Sequence, residues 1–327
     1  MKMLLNAREE MNMRNENIKE RLEDYMKESG LSQAKIAPLI GVSMTALSQY
    51  RNGIYKGDVK AVESKIEEYM ETVEEQQAQE EKAQPYKAVE DYIPTSVSED
   101  IYRMIRYAQV NGGIAIAHGD AGIGKTKAAQ KYVRENPTQA IYLEMSPVAG
   151  TLGNMLRLLA RTLKLPESRN KMELMLSIRE KLEGTNKVII IDEAQHLKLS
   201  ALEQIRTLAD PNSITGTKGV GIVLIGNTEV YSKMKGKQEA QFAQLFSRIK
   251  MSRYYSTSNV TDDDVEKLFP VLKKQGMKKE LGFLKGICKS KWGIRGATNV
   301  YDNSINNDDV SVKGLYAMAR TLGIEVI

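Results

Sequence analysis

Apolar residues recur at helical spacing through the first seventy positions, and from Tyr86 onward short β-branched runs alternate with amphipathic stretches. After Asn17, IKERLEDYMKES sets Ile18, Leu22 and Tyr25/Met26 three and four apart, which predicts an amphipathic helix. Leu31-SQAKIAPLIG and Ser43-MTALSQYRNG predict two short helices separated by a Gly41-Val42 turn, with Ser43 capping the second. A fourth helix, from Asp58 to about Met70, carries Val62, Ile66 and Tyr69 on one face. The Glu- and Gln-rich run from Glu71 to Pro85 is nearly free of apolar residues, so it cannot bury a core. It reads as a solvated helix extension or a linker, and a domain boundary belongs there.

Beyond it, strands are expected at Ile114-AIAH, Ala140-IYLE, Lys187-VIII, Val220-GIVLIG and Ile249-KMSRYY. Helices are expected from about Lys125, Leu152, Met172, Ser200 and Thr228, and Ser96-VSE offers a capping box for a helix ending at Asn111-Gly112-Gly113. Strands alternating with helices signal a parallel α/β sheet. From Thr261 the chain reads as helices interrupted by Pro270, Gly276, Gly282 and Gly293, a small α-helical lid. The expected organisation is therefore a helical domain over 1–70, an acidic linker over 71–95, an α/β domain over 96–258 and a lid over 259–327.

Composition narrows the chemistry. In 327 residues no apolar run approaches the ~20 that a membrane span needs. A single cysteine, Cys288, excludes an internal disulfide framework and suits a reducing cytoplasm, while His118 and His196 are too few for a His/Cys zinc cluster. The net charge of +5 permits a nucleic-acid partner without requiring one.

The specific signal is Gly119-Asp120-Ala121-Gly122-Ile123-Gly124-Lys125-Thr126-Lys127, which fits GxxxxGK[ST] between a strand and a helix. The glycines let backbone N–H groups turn inward on phosphates, Lys125 reaches the β/γ-phosphates, and Thr126 offers a hydroxyl to Mg²⁺. Val188-III ends in Asp192 and Glu193, two carboxylates at the carboxyl end of a buried strand. Asp192 would hold the metal's water shell and Glu193 would polarise an attacking water. Asn227, after Val220-GIVLIG, would sense the γ-phosphate or cap the helix at Thr228, two compatible roles.

These elements, in order with Gly293-Ile-Arg295-Gly-Ala-Thr, resemble the Walker A, Walker B, sensor 1 and sensor 2 motifs of an AAA+ ATPase. The resemblance runs from about Ser96 to the end. It implies a five-stranded parallel sheet, a helical lid, ATP and Mg²⁺ as cofactors, and active sites shared between subunits. By it Arg295 would touch the γ-phosphate from the lid. Arg248 would be the arginine finger that stabilises the transition state in a neighbour's site, with Arg253 the competing candidate.

The segment Leu31 to Gly53 resembles a helix-turn-helix of the phage-repressor type, with Pro38 a departure from the pattern. In that arrangement Thr45, Ser48 and Gln49 reach base edges while Gln33 and Arg51 meet phosphates. Lys233, Lys235 and Lys237, and the basic residues Arg157, Arg161 and Lys164, are further candidates for DNA contact. A helix-turn-helix before a minimal AAA+ module is similar to the bacteriophage Mu B and insertion-sequence helper ATPase family. That resemblance implies a phage- or mobile-element-encoded protein of the bacterial cytoplasm. It implies an ATP-bound helical filament on target DNA and a transposase partner. Two other classes remain open: a secretion-associated AAA+ ATPase, and a non-hydrolysing DNA regulator switched by nucleotide.

Overall fold

The computed structural model describes residues 18–83, 92–166, 168, 170–235 and 247–325. The chain divides into two compact units, Met1–Pro85 and Tyr86–Ile327.

In the first unit, helix α1 (18–29) is followed by α2 (Gln33–Ile40), α3 (Met44–Arg51) and α4 (Val59–Ala83). Their apolar faces meet in a core of Leu22, Ile36, Ile40, Leu47, Val62 and Ile66. The turn between α2 and α3 needs Gly41, whose φ of 77° is the left-handed conformation that a side chain disfavours. Ser43 caps α3 by accepting the Ala46 N–H at 3.1 Å. Pro38 lies inside α2, and the helix runs on to Ile40. Of the pair Leu39/Ile40, only Ile40 is buried; Leu39 is exposed. α4 runs unbroken to Ala83, so most of the Glu/Gln-rich run is helix extension.

The second unit is built on five parallel strands: β1 (Gly113–Gly119), β2 (Ala140–Glu144), β3 (Val188–Asp192), β4 (Gly221–Gly226) and β5 (Ile249–Tyr255). Their order across the sheet is β2-β3-β4-β1-β5. Helices α5 (Ser96–Asn111) and α6 (Lys125–Glu135) cover one face; α7 (Leu152–Thr162), α8 (Lys171–Leu182) and α9 (Leu199–Ala209) cover the other. Alternate strand residues feed the two cores: Ile114 and Ile116 go to one, Ala115 and Ala117 to the other. Burial on both faces is why β1, β3 and β4 read as mainly apolar runs. α10 (Thr228–Lys235) follows β4.

The cap of α5 differs by one residue from the sequence expectation. Thr95 is the N-cap and Ser98 completes the capping box, because Ser96 is engaged by the lid. The lid comprises α11 (Asp262–Leu268), α12 (Pro270–Lys274), α13 (Lys278–Lys289), α14 (Gly293–Asn306) and α15 (Val312–Thr321). The Asp264 carboxylate on α11 accepts the Ser96 N–H and Ser96 hydroxyl, each at 2.6 Å, and the Thr261 N–H at 2.8 Å. Among the described residues no helix is long and apolar enough to cross a membrane.

Candidate nucleotide site

β1, β3 and β4 end side by side, and at their carboxyl ends opens a cleft of about 560 Å³. Ligands of open parallel sheets bind at this edge. The phosphate loop leaves β1 at Gly119, where a side chain is impossible: a Cβ would lie 2.0 Å from the Tyr255 carbonyl oxygen. Gly122 (φ 73°) and Gly124 (φ 94°) supply the left-handed turns that point N–H groups into the cleft, and α6 begins at Lys125. The Lys125 ammonium folds back on the loop, donating to the carbonyls of Gly119 (3.0 Å) and Asp120 (2.5 Å). Its burial lowers its pKa, against the opposing pull of Asp192, Glu193 and Asp120.

Asp120 does a different job from its loop neighbours. Its carboxylate accepts the Tyr254 hydroxyl (3.0 Å), the Ser256 hydroxyl (3.1 Å) and the Thr257 N–H (2.8 Å), tying the loop to the segment that leads into the lid. These donors hold its carboxyl below the usual range despite its partial burial. The lid also meets the loop directly. The Arg295 N–H donates to the Gly122 carbonyl at 3.1 Å, and a Cβ on Gly293 would fall 2.9 Å from the Ala121 oxygen.

Asp192 is buried, with both oxygens engaged: Oδ2 accepts the Tyr142 hydroxyl at 2.9 Å and Oδ1 the Glu193 N–H at 2.9 Å. Burial beside Asp192 drives the Tyr142 hydroxyl pKa well above its ordinary value. Glu193 takes φ 52°, ψ 37°, a left-handed conformation rare for a non-glycine residue and characteristic of functional sites. Its carboxylate accepts a hydrogen bond from the Gln195 amide. Asn227 lines the cleft, and its side chain also caps α10 by accepting the Glu229 N–H at 2.9 Å.

Of the predicted residues, Ala121, Gly122, Gly124, Lys125, Thr126 and Lys127 line the cleft, as do Asp192, Glu193, Asn227 and Arg295. Ile123 is buried beneath it. Among the described residues no His/Cys/Asp/Glu cluster could hold a metal ion by itself. The donors that do converge, the Thr126 hydroxyl and the Asp192 carboxylate, suit an ion whose remaining ligands are water and phosphate oxygens. Arg248 stands elsewhere. It precedes β5 at the amino edge of the sheet, about 20 Å of strand from the cleft, and pairs with Asp210 beside Arg206. Arg253 pairs with Asp100.

In the first unit, Thr45 is exposed and Ser48 and Gln49 are half-buried on α3. Gln33 and Arg51, the candidate phosphate contacts, are hydrogen-bonded within the unit. Arg51 binds Glu23 at 2.5 and 2.7 Å and donates to Gln33 at 2.8 Å, and Gln33 donates to the Met44 carbonyl at 3.1 Å. The Lys233 and Lys235 side chains and all of Lys237 lie outside the described residues.

A family profile described as an AAA domain matches residues 108–234. The Mu-like prophage FluMu DNA transposition protein B of Haemophilus influenzae is 29% identical over 86% of this chain and 94% of its own. The ATP-dependent target DNA activator B of Escherichia phage Mu is 32% identical over 80% of this chain and 79% of its own. This chain belongs to the target DNA activator B family. Among solved structures, Cdc6p from Pyrobaculum aerophilum superposes with a TM-score of 0.51 at 15% identity, covering 71% of this chain and 69% of that one, which shows the shared AAA+ fold.

Several residues of the cleft escaped sequence reading. Tyr92, Ile93, Leu268 and Ile294 also line the cleft. They come from the segment before α5 and from two lid helices, so only the fold brings them together. Tyr142 and Gln195 were equally hidden. His118 is buried with its ring stacked 4.7 Å from that of Tyr231, and burial lowers its pKa.

Proposed function

We propose that this protein is an ATP-dependent, DNA-binding AAA+ ATPase that assembles as a helical oligomer on target DNA, delivers that DNA and activates a transposase. The carrying observation is the cleft itself: phosphate loop, Asp192–Glu193 pair, Asn227 and Arg295 converge on one site in a chain of the target DNA activator B family. Bound Mg²⁺, held by Thr126 and through water by Asp192, would neutralise charge on the β- and γ-phosphates. Glu193 takes the proton of an attacking water, whose oxygen bonds to the γ-phosphorus. The bond to the β–γ bridging oxygen breaks and ADP leaves with its electron pair.

Arg248 is too far from the cleft of its own chain to act there. Its position at the opposite sheet edge, with a half-exposed guanidinium, suits a finger inserted into a neighbour's cleft. Hydrolysis would then require assembly. The exposed start of α3, led by Thr45, is the DNA-facing part of the helix-turn-helix, with Ser48 and Gln49 beside it. The similarity to target DNA activators over most of the chain favours this reading over secretion, and the Glu193 geometry favours turnover over a passive nucleotide switch.

ATPase turnover and nucleotide-dependent DNA co-sedimentation test the proposal together. Wild type should hydrolyse ATP faster with DNA present. Lys125→Ala should lose ATP-dependent DNA binding, and Glu193→Gln should retain it while losing turnover. DNA binding and assembly unchanged in both variants would refute it.

A further inference from the structure

Between the Walker B strand and the sensor strand lies one side chain that the motif reading leaves unassigned. Gln195 is 7% exposed and sits on the 3-10 turn Ala194–His196 that follows Glu193. Its amide is used at both ends. The amide nitrogen donates to the Glu193 carboxylate, and the amide oxygen accepts the Asn227 N–H at 3.4 Å. The two bonds fix the amide's orientation, since a flipped amide would set oxygen against carboxylate and N–H₂ against N–H.

The neighbouring backbone leaves room for it. A Cβ on Gly226 would fall 2.4 Å from the Gln195 amide oxygen and 2.5 Å from Val230 Cγ2. A side chain at residue 226 would therefore displace the Gln195 amide from this position. Glu193, strained at φ 52°, draws no other side-chain support, among the described hydrogen bonds, than this amide.

We propose that Gln195 is a positioning residue for ATP hydrolysis: its amide locks the Glu193 carboxylate to the backbone of Asn227, so that movement of the sensor strand end moves the catalytic carboxylate with it. This deepens the reading of Glu193 as the hydrolytic base and rests on it. The bridge orients the carboxylate and leaves one face of it to the attacking water. It also means that contact of Asn227 with the γ-phosphate is transmitted to Glu193 through a single side chain, a linkage that ADP would not engage.

Two variants separate positioning from packing. Gln195→Met keeps the volume and removes both hydrogen bonds. Gln195→Glu keeps an acceptor for Asn227 but, when ionised, repels Glu193 and cannot donate to it. For Gln195→Met, kcat should fall about fivefold or more, with ATP affinity within about threefold of wild type and the thermal transition of the ATPase unit little changed. For Gln195→Glu, the ratio of its kcat to wild type should rise as pH is lowered from 8 to 5.5, because the protonated carboxyl regains the donor. A smaller loss in Gln195→Met, or a pH-independent ratio in Gln195→Glu, overturns the proposal. So does a kcat loss matched by equal losses of ATP affinity and thermal stability. Glu193→Gln, run alongside, keeps the two readings apart: if it abolishes turnover while Gln195→Met keeps a kcat close to wild type, the bridge fails and the hydrolytic role of Glu193 stands. If Glu193→Gln turns over like wild type, the hydrolytic reading fails first.

Discussion

Replacing Asp264 by alanine attacks the joint between the lid and the α/β core. Its carboxylate is 1% exposed and receives three donors: the Ser96 N–H and hydroxyl at 2.6 Å and the Thr261 N–H at 2.8 Å. Each hydrogen bond to a charged acceptor is worth about 1.5–3 kcal/mol, but water entering the vacated space recovers part of that. A net loss of about 3 kcal/mol follows. For a unit this size each kcal/mol lowers the thermal midpoint by about 2–4 °C, so the ATPase unit should unfold about 6–12 °C earlier. Because the chain holds two units, calorimetry should follow that unit's transition separately from the first.

Asp264→Asn keeps one acceptor oxygen and should lose about half as much. The pH dependence gives an independent check. The donors outweigh desolvation and hold the Asp264 pKa below its ordinary value. A carboxyl with a folded pKa below its unfolded one contributes stability that is complete above the unfolded pKa and is lost as pH falls through the folded pKa. The gap between wild type and Asp264→Asn should therefore be constant from pH 5 to 8 and close below about pH 4. A midpoint shift under 2 °C for the alanine variant, or a gap that does not narrow as pH falls below about 4, would refute the reasoning.

Three further outcomes follow from named contacts. Tyr142→Phe removes the hydroxyl that orients Asp192, so the Mg²⁺ concentration for half-maximal ATPase should rise several-fold; an unchanged Mg²⁺ titration removes Tyr142 from the site. Trp292 is the single tryptophan, and its carbonyl lies against Gly122 of the phosphate loop, so ATP should change its emission. Identical spectra with and without ATP would mean that the loop and lid do not move together. Arg51→Ala should destabilise the first unit by about 1–2 kcal/mol in circular-dichroism melts through loss of its bidentate pair with Glu23, whereas, on the proposed DNA-binding role, Thr45→Ala should weaken DNA binding with no change in that melt.

β1, β3 and β4 were legible to within one or two residues because burial on both faces leaves nothing but apolar side chains in Ile114–Ala117, Val188–Ile191 and Ile222–Ile225. The phosphate loop was legible because its glycines answer a backbone requirement that few sequences meet by chance: φ 73° at Gly122, φ 94° at Gly124 and no space at Gly119. Contacts between distant segments left no such trace. The one-residue error at the α5 cap arose because Ser96 serves Asp264, 168 positions away. Arg51 and Gln33 carry the residue types of a phosphate contact, and only the folded structure reveals that Glu23 engages Arg51, which in turn donates to Gln33. Gln195 reads as an ordinary polar residue until Glu193 and Asn227 are brought to either side of it.

Electron microscopy of the full chain with duplex DNA and a non-hydrolysable ATP analogue asks whether this cleft is an assembly switch. The expected result is continuous helical filaments on DNA with the analogue, none with ADP or without nucleotide, and none for Lys125→Ala. Particles whose size and DNA occupancy are the same with and without the analogue would contradict it.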